Sequence, residues 1–541
     1  MAWNFAEVWE TVAETLPDAP AARHGDVVRS WAELDRRADG VAAWLLSLGA
    51  ARGDTAAQYL YSSNEYVEAT FACFKLGVAP VNTNYRYAAD ELAYLWGTAG
   101  CVAVMFHGTF APVVEELRSS GRVDQVRGWL WVDDGSGPCP GWADPYDEVA
   151  ASAAPGARTV APWGRSPDDL WLIYTGGTTG MPKGVMWRQD DMFAVTNAIA
   201  AVRYPEDGGL DDVRRMLVKP GPVHIPAAPL MHGTGMVSSF GALSSGGCIA
   251  TLVGRSFDPT ELLDLVQSAR AKSIAIVGDA FCRPLLAALD AEPERWDLSS
   301  LRLITSSGVM WSQEVKEGML RHGPRLILVD SLGSSEAISM ANSVSTGDSG
   351  SATTGTFRVG ASTVVLAEDR SRPVAPGTGE VGVVAMAGRV PVGYYGDPVK
   401  SAETFPVIGG VRYSVPGDYA TVDADGTIRL LGRGSQCINT GGEKVYPEEV
   451  EEALKTHPAV RDAAVVGLPH PRFGEAVHAV VELEDGAAFD EAELIAHVKG
   501  MRAHYKVPRR IVAVPSTSRA ANGKLDYRAI RATLESSLAA T

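Results

Sequence analysis

Residues 174–185 read Tyr174-Thr175-Gly176-Gly177-Thr178-Thr179-Gly180-Met181-Pro182-Lys183-Gly184-Val185, three threonines and four glycines around one lysine. Glycines let backbone N–H groups close around an anion, hydroxyls donate to phosphate oxygens, and the ammonium adds charge. The segment follows an apolar run at 170–174, so it sits where a strand ends. It is not the GxxxxGK[ST] phosphate loop, because Gly184 follows Lys183. Five more segments with chemistry-bearing side chains follow in order. They are Asp330-Ser331-Leu332-Gly333-Ser334-Ser335-Glu336, Tyr413-Ser414-Val415-Pro416-Gly417-Asp418, Leu431-Gly432-Arg433, the Gly441-Gly442-Glu443-Lys444 run that continues to Glu451, and Asn522-Gly523-Lys524-Leu525-Asp526.

Taken in this order, the segments resemble the signatures of the adenylate-forming superfamily, which includes acyl-CoA synthetases, peptide-synthetase adenylation domains and beetle luciferases. The resemblance covers essentially the whole chain. It implies that Thr175, Gly176, Gly177, Thr178, Thr179, Gly180 and Lys183 hold the phosphates of ATP, with Gly308, Leu332, Gly333, Ser334 and Ser335 around the adenine. It implies that Glu336 and Thr175 hold Mg2+, a hard cation suited to carboxylate and hydroxyl oxygens. Asp418 would accept hydrogen bonds from the ribose hydroxyls, and Arg433 would reach the ribose or a phosphate. Lys524, in an Asn-Gly turn, would carry an ammonium to the reacting carboxylate and, with Glu336, count as catalytic. Gly441 and Gly442 would let the thin pantetheine arm of CoA approach the backbone. His232, Gly235, Gly278 and Gly308 are the positions expected at the acid pocket, within the stretches 232–241, 278–283 and 307–310. Two departures stand out: Leu332 occupies a position that is often aromatic, and Ser435 a hinge position that is commonly aspartate or lysine.

The reaction so implied joins an acid to ATP as an acyl-adenylate and then transfers the acyl group to CoA. The first step brings a carboxylate to a triphosphate, so cations must neutralise charge in the transition state. Handing the acyl group to a carrier protein or partner enzyme is the alternative, although no carrier domain follows Asp526. A non-catalytic binding protein would have little use for Lys183, Glu336, Asp418, Arg433 and Lys524 together. The strings TGGTTGMPKGVMWR, VGDAFCRPL, GSSE and INTGGEKVYPEEVE resemble actinobacterial CoA ligases for bulky lipid-like acids. That points to a steroid-like, diterpenoid-like or long-chain acid.

The surrounding sequence must position these groups. Ser30 and Glu33 make a capping box ahead of a helical face, then 55–61, 64–76 and 78–81 read as strand, helix and strand, a βαβ unit. The Ala/Pro/Gly-rich stretch 150–164 reads as a connector. Asp258 and Pro259 start a helix, and 273–277 is a buried strand. Asp423-Ala424-Asp425-Gly426 marks a hairpin between 419–422 and 427–431. Beyond 434 come a helix at 447–456, strands at 463–467 and 476–483, a helix capped by Asp490, and a last strand at 511–514. The expected fold is α/β: a large N-terminal domain, 1–432, with parallel sheets and a small β-rich portion, a hinge at 433–435, and a small mobile α+β domain, 436–541.

The 541 residues suggest three or four domain-sized units, and 46% hydrophobic with 21% charged residues is ordinary for a globular chain. A net charge of −17 argues against a broad nucleic-acid footprint. There is no apolar run of transmembrane length, and the N-terminus lacks the basic start of a secretory signal. Six cysteines without a CxxC pair read as reduced core residues of a cytoplasmic protein. A homodimer is left open.

Overall fold

Ser30 Oγ accepts from the Glu33 backbone N–H, and the Glu33 carboxylate accepts from that of Ser30, so the expected capping box starts the helix Trp31–Ser47. The computed structural model describes residues 2–175, 181–440, 443–470, 474–517, 519 and 525–539. The expected βαβ unit forms as Thr55–Tyr59, Asn64–Leu76 and Ala79–Asn82, with the two strands parallel. Around it grows an eight-stranded sheet. Its inner strands Leu170–Thr175, Ala79–Asn82, Thr55–Tyr59, Cys101–His107 and Gly128–Val132 run parallel. Lys183–Arg188 returns antiparallel to Leu170–Thr175, and Gly393–Tyr394 pairs onto its outer edge.

The 150–164 stretch does not divide domains. It connects two strands of this one sheet and is pinned to the body: Thr159 N–H donates to Asp39 Oδ1, and Trp163 Nε1 to the Leu76 carbonyl. It is the connector that its composition implies, fitted closely to the body.

A second, 15-stranded sheet changes character along its length. Val223–Pro226, Ser273–Ile276, Leu303–Ser307 and Ile327–Ser334 are parallel neighbours. Ile225, Ile274, Ile276, Ile304 and Leu328 lie in one core with the helices Pro259–Ser268, Gly278–Ala291 and Gln313–His322. From Ala337–Thr346 onward the pairing is antiparallel, including the Asp418–Val422 and Thr427–Arg433 hairpin. This is the small β-rich portion expected from the sequence.

The C-terminal unit is a five-stranded sheet with helices Pro447–Lys455, Glu491–Met501 and Tyr527–Ala539. Val477, Ala479 and Val481 project from one face of Gly474–Leu483 into its own core, as their alternation requires. Its helix Pro447–Lys455 packs on the strand Thr427–Arg433 of the large unit. A Cβ at Gly432, whose φ is +117°, would collide with the Glu448 carboxylate, so this approach needs glycine. The expected hinge falls at the single 3₁₀ turn Gly434–Gln436. Among the described residues, no helix is long and apolar enough to cross a membrane. None of the six cysteines is in a disulfide among the described residues, and four are buried.

Candidate active site

The antiparallel register places Thr175 opposite Lys183, so the two flank the mouth of the threonine-glycine loop. Gly176, Gly177, Thr178, Thr179 and Gly180 lie outside the described residues. One register step in, Gly184 faces Tyr174, and a Cβ there would come within 2.6 Å of the Tyr174 ring. Lys183 Nζ lies 3.4 Å from Asp397 Oδ2 and 5.5 Å from the centroid of the Tyr394 ring.

Glu336 stands at the tip of a tight hairpin, since Ser334 and Ala337 are paired across it. Three elements pin this tip. Trp187 Nε1 donates to the Ser335 carbonyl at 2.8 Å, and Ser414 Oγ to the Glu336 carbonyl at 2.7 Å. Tyr394 Oη donates to the carboxylate oxygen Oε1 of Glu336 at 2.8 Å. Gly333 lies beneath the turn, where a Cβ would come within 2.9 Å of the Ser339 nitrogen. Leu332 is buried in the β-rich core while also lining the cavity described below. Asp418 is buried and pairs in register with Arg433, whose strand backbone is described but whose side chain is not.

Asn82 ties the loop's strand to the neighbouring turn. Its amide accepts from Tyr174 N–H at 2.6 Å and donates to the carbonyls of Tyr174, at 2.8 Å, and Met231, at 2.7 Å. Met231 precedes His232, the N-cap residue of the helix Gly233–Ser244. Sequence reasoning missed Asn82 and Tyr394. No local pattern marks the first. The second is followed by Asp397-Pro398, a helix start whose cap, Asp397, also meets Lys183.

A cavity of about 1340 Å³ opens beside these groups, and Lys183 and Tyr394 stand outside its lining. Thr175, His232, Gly308, Gly333, Ser334, Ser335, Glu336 and Asp418 all line it. Gly308 has a φ of +93°, which favours glycine at the turn after Leu303–Ser307. The cavity continues between the sheet and the helix Gly233–Ser244, past Thr234, Ser238, Ser273 and Thr305. The His224 ring bridges Ser273 Oγ at 2.8 Å and Ser238 Oγ at 2.9 Å, and burial pushes its pKa down to about 4, so it is neutral.

Two expected pocket residues do not line this cavity. A Cβ at Gly235 would collide with the Ala228 carbonyl, and one at Gly278 with the Met310 carbonyl. Both are packing glycines. The rest of 278–283 belongs to the helix Gly278–Ala291, whose Phe281 and Cys282 are buried in the core on the other side of the sheet. Val277 lines the cavity instead. The segments 232–241 and 307–310 do contribute, through His232, Gly233, Thr234, Val237, Ser238, Gly241, Ser307, Gly308, Val309 and Met310.

The C-terminal unit closes one side with Glu448, Glu451, Lys455, Arg519, Leu525 and Tyr527. Arg519 forms a two-pronged ion pair with Asp462 at 2.6 and 2.8 Å. Burial raises the Glu451 carboxyl to about 7 against the opposing pull of Arg519 and Lys455. Gly441, Gly442 and Lys524 lie outside the described residues.

The Glu336 carboxylate and the Thr175 and Ser334 hydroxyls line the same cavity and are hard-oxygen donors. Magnesium commonly takes one or two carboxylates together with substrate phosphates, so these residues fit it.

Comparison with known proteins agrees with this geometry. The sequence profile described as "AMP-binding enzyme" matches residues 9–395, and "AMP-binding enzyme C-terminal domain" matches 449–524. The chain is similar to the medium-chain acyl-CoA ligase Mig of Mycobacterium avium, at 40% identity over 97% of each chain. It is also similar to the 3-oxocholest-4-en-26-oate–CoA ligase of Rhodococcus rhodochrous, at 38% identity over 98% of this chain and 95% of that one. Among solved structures, ATP-bound MatB from Rhodopseudomonas palustris superposes with a TM-score of 0.80 at 26% identity, covering 98% of this chain and 99% of that one. The anthranilate CoA ligase AuaEII, with anthranoyl-AMP, shares the fold at a TM-score of 0.83 and 22% identity, covering 99% of this chain and 98% of that one. The chain belongs to the AMP-binding enzyme family of adenylate-forming enzymes.

Proposed function

We propose that this protein is an ATP-dependent acid–CoA ligase for a bulky hydrophobic carboxylic acid. The observation that carries this reading is one continuous cavity with Thr175, Glu336 and Asp418 at one end and a long channel between sheet and helix at the other. Its 1340 Å³ exceeds the roughly 300–1,000 Å³ of ordinary small-molecule pockets, as a site for a nucleotide and a large acid should.

In the first half-reaction the acid's carboxylate oxygen attacks the α-phosphorus of ATP, and pyrophosphate leaves. The carboxylate is already ionised near neutral pH, so no base is needed. His232 therefore lines the pocket and takes no proton. Thr175 and Lys183, at the two ends of the loop, bind phosphate oxygens, and Asp418 accepts from the ribose. Mg2+ held by Glu336 and Thr175 would neutralise phosphate charge. Lys524 supplies a further cation to the carboxylate and α-phosphate, a role supported by Leu525 lining the same cavity. In the second half-reaction the CoA sulfur, having lost its proton, attacks the acyl carbonyl carbon and AMP leaves. Gly441 and Gly442 flank the pantetheine path, and a turn of the C-terminal unit about 433–435 exchanges the two arrangements.

The relatives named for medium-chain and 3-oxocholest-4-en-26-oate ligation support a large apolar acid here. Steroid side-chain, diterpenoid, straight long-chain and short acids, each with ATP and CoA, test this. Bulky or long acids should give the highest kcat/KM; the highest value for acetate or butyrate would overturn the substrate assignment.

A further inference from the structure

The end of the channel away from the nucleotide carries charge of its own. Three basic residues line it: Arg203, Lys272 and Arg302. Backbone hydrogen bonds gather them at the start of the parallel strands. Lys272 N–H donates to the Val223 carbonyl, and Arg302 N–H to the Lys272 carbonyl, both at 2.9 Å. Val202, next to Arg203, donates to Ser245 Oγ, and Gly246 in turn accepts from Gly221 beside Pro222.

None of the three makes an ion pair among the described residues, in a chain with 65 acidic and 48 basic residues. Arg203 and Lys272 are exposed, and Arg302 is half-buried with Nη1 donating to the Ser299 and Leu301 carbonyls at 2.7 and 2.8 Å. Of the lining carboxylates, Asp330, Glu336 and Asp418 belong to the nucleotide end, where Asp330 pairs in register with Ser306, and Glu448 and Glu451 belong to the C-terminal unit. Five residue steps of extended strand, from Arg302 to Ser307, span roughly 16 Å.

We propose that this basic mouth receives an anionic oxygen group at the far end of the acid. The preferred substrate then carries a carboxylate at each end, one adenylated beside Glu336 and one held at Lys272, Arg203 and Arg302. The inference rests on the reading of the protein as an acid-activating enzyme and narrows its substrate class. An ammonium without an ion pair at the rim of a channel contributes most when an opposite charge arrives, and salt screens that contribution.

The test compares tetradecanoic acid, ω-hydroxytetradecanoic acid and tetradecanedioic acid in acid-dependent pyrophosphate exchange. Lys272 is the residue to change, because its exposed side chain makes no hydrogen bond or ion pair among the described residues. In Lys272→Leu the ratio of kcat/KM for the diacid to that for the monoacid should fall about 1.5- to fivefold, the range of one exposed ion pair. In Lys272→Glu it should fall more than tenfold, and the hydroxy acid should follow the monoacid. An unmoved ratio, or an equal loss for the hydroxy acid, overturns the proposal while leaving acid activation intact. Calorimetric binding supplies the readout should no acid drive exchange, an outcome that would sink the functional reading itself. Tighter binding of the diacid, lost in Lys272→Glu, supports the basic mouth; equal binding of diacid and monoacid refutes it.

Discussion

The phenol of Tyr394 donates to Oε1 of Glu336 across 2.8 Å, though 58 residues separate them. Tyr394 sits on the edge strand paired with Lys183–Arg188, so one side chain meets both Lys183 and the hairpin tip that carries Glu336. Its ring lies near Lys183 Nζ, and its hydroxyl orients the carboxylate assigned to magnesium. Tyr394 is thus a positioning residue.

Tyr394→Phe keeps the ring and deletes the hydrogen bond. Groups that orient a metal-binding side chain typically cost about 10–100-fold when removed. Acid-dependent pyrophosphate exchange should fall by that amount, and the Mg2+ concentration for half-maximal rate should rise. The melting temperature should move little. An unchanged magnesium dependence would show that this hydrogen bond is only structural.

Lys524→Ala should separate the half-reactions. Removing one preorganised cation from developing charge costs about 100–1,000-fold, so pyrophosphate exchange should collapse. Conversion of synthetic acyl-adenylate and CoA to thioester should survive, because phosphorus chemistry is already complete. Gly442→Trp should do the reverse by blocking the pantetheine path. Equal loss of both half-reactions in Lys524→Ala, with folding intact, contradicts the division of labour.

Burial raises the Asp330 carboxyl to about 7, opposed by Lys316 at 3.6 Å. Because the folded state holds this proton more tightly than the unfolded chain, the contribution is complete below about pH 4 and is lost as pH rises to about 7. At its steepest the loss approaches about 1.4 kcal/mol per pH unit. Asp330→Asn cannot titrate, so the stability gap between wild type and variant should shrink as pH climbs from 5 to 7. Denaturant titrations across that range measure it; a constant gap would mean that Asp330 does not titrate there.

Much of this was legible in the sequence because local signals agreed. Ser30 with Glu33, Asp258 with Pro259, and the turn 423–426 each fixed an element end by side-chain chemistry that acts within a few residues. The Thr175–Lys183 and Asp418–Arg433 pairings follow from hairpins, which are also local. Asn82 and Tyr394 were not legible, since each acts on a partner that only tertiary pairing brings near. Gly235 and Gly278 misled for a related reason. A glycine that admits a ligand and one that admits a neighbouring carbonyl look identical in sequence, and only the carbonyls of Ala228 and Met310 distinguish them. The basic mouth was equally hidden, because Arg203, Lys272 and Arg302 are scattered along the chain.

The central claim is that the acid's own oxygen bonds to the α-phosphorus of ATP. An acid labelled with oxygen-18 in both carboxylate positions, turned over with ATP and CoA, tests it by mass spectrometry of the products. One labelled oxygen should leave on AMP and the other remain in the thioester carbonyl. Label in pyrophosphate or phosphate, or AMP without label, would contradict the mechanism.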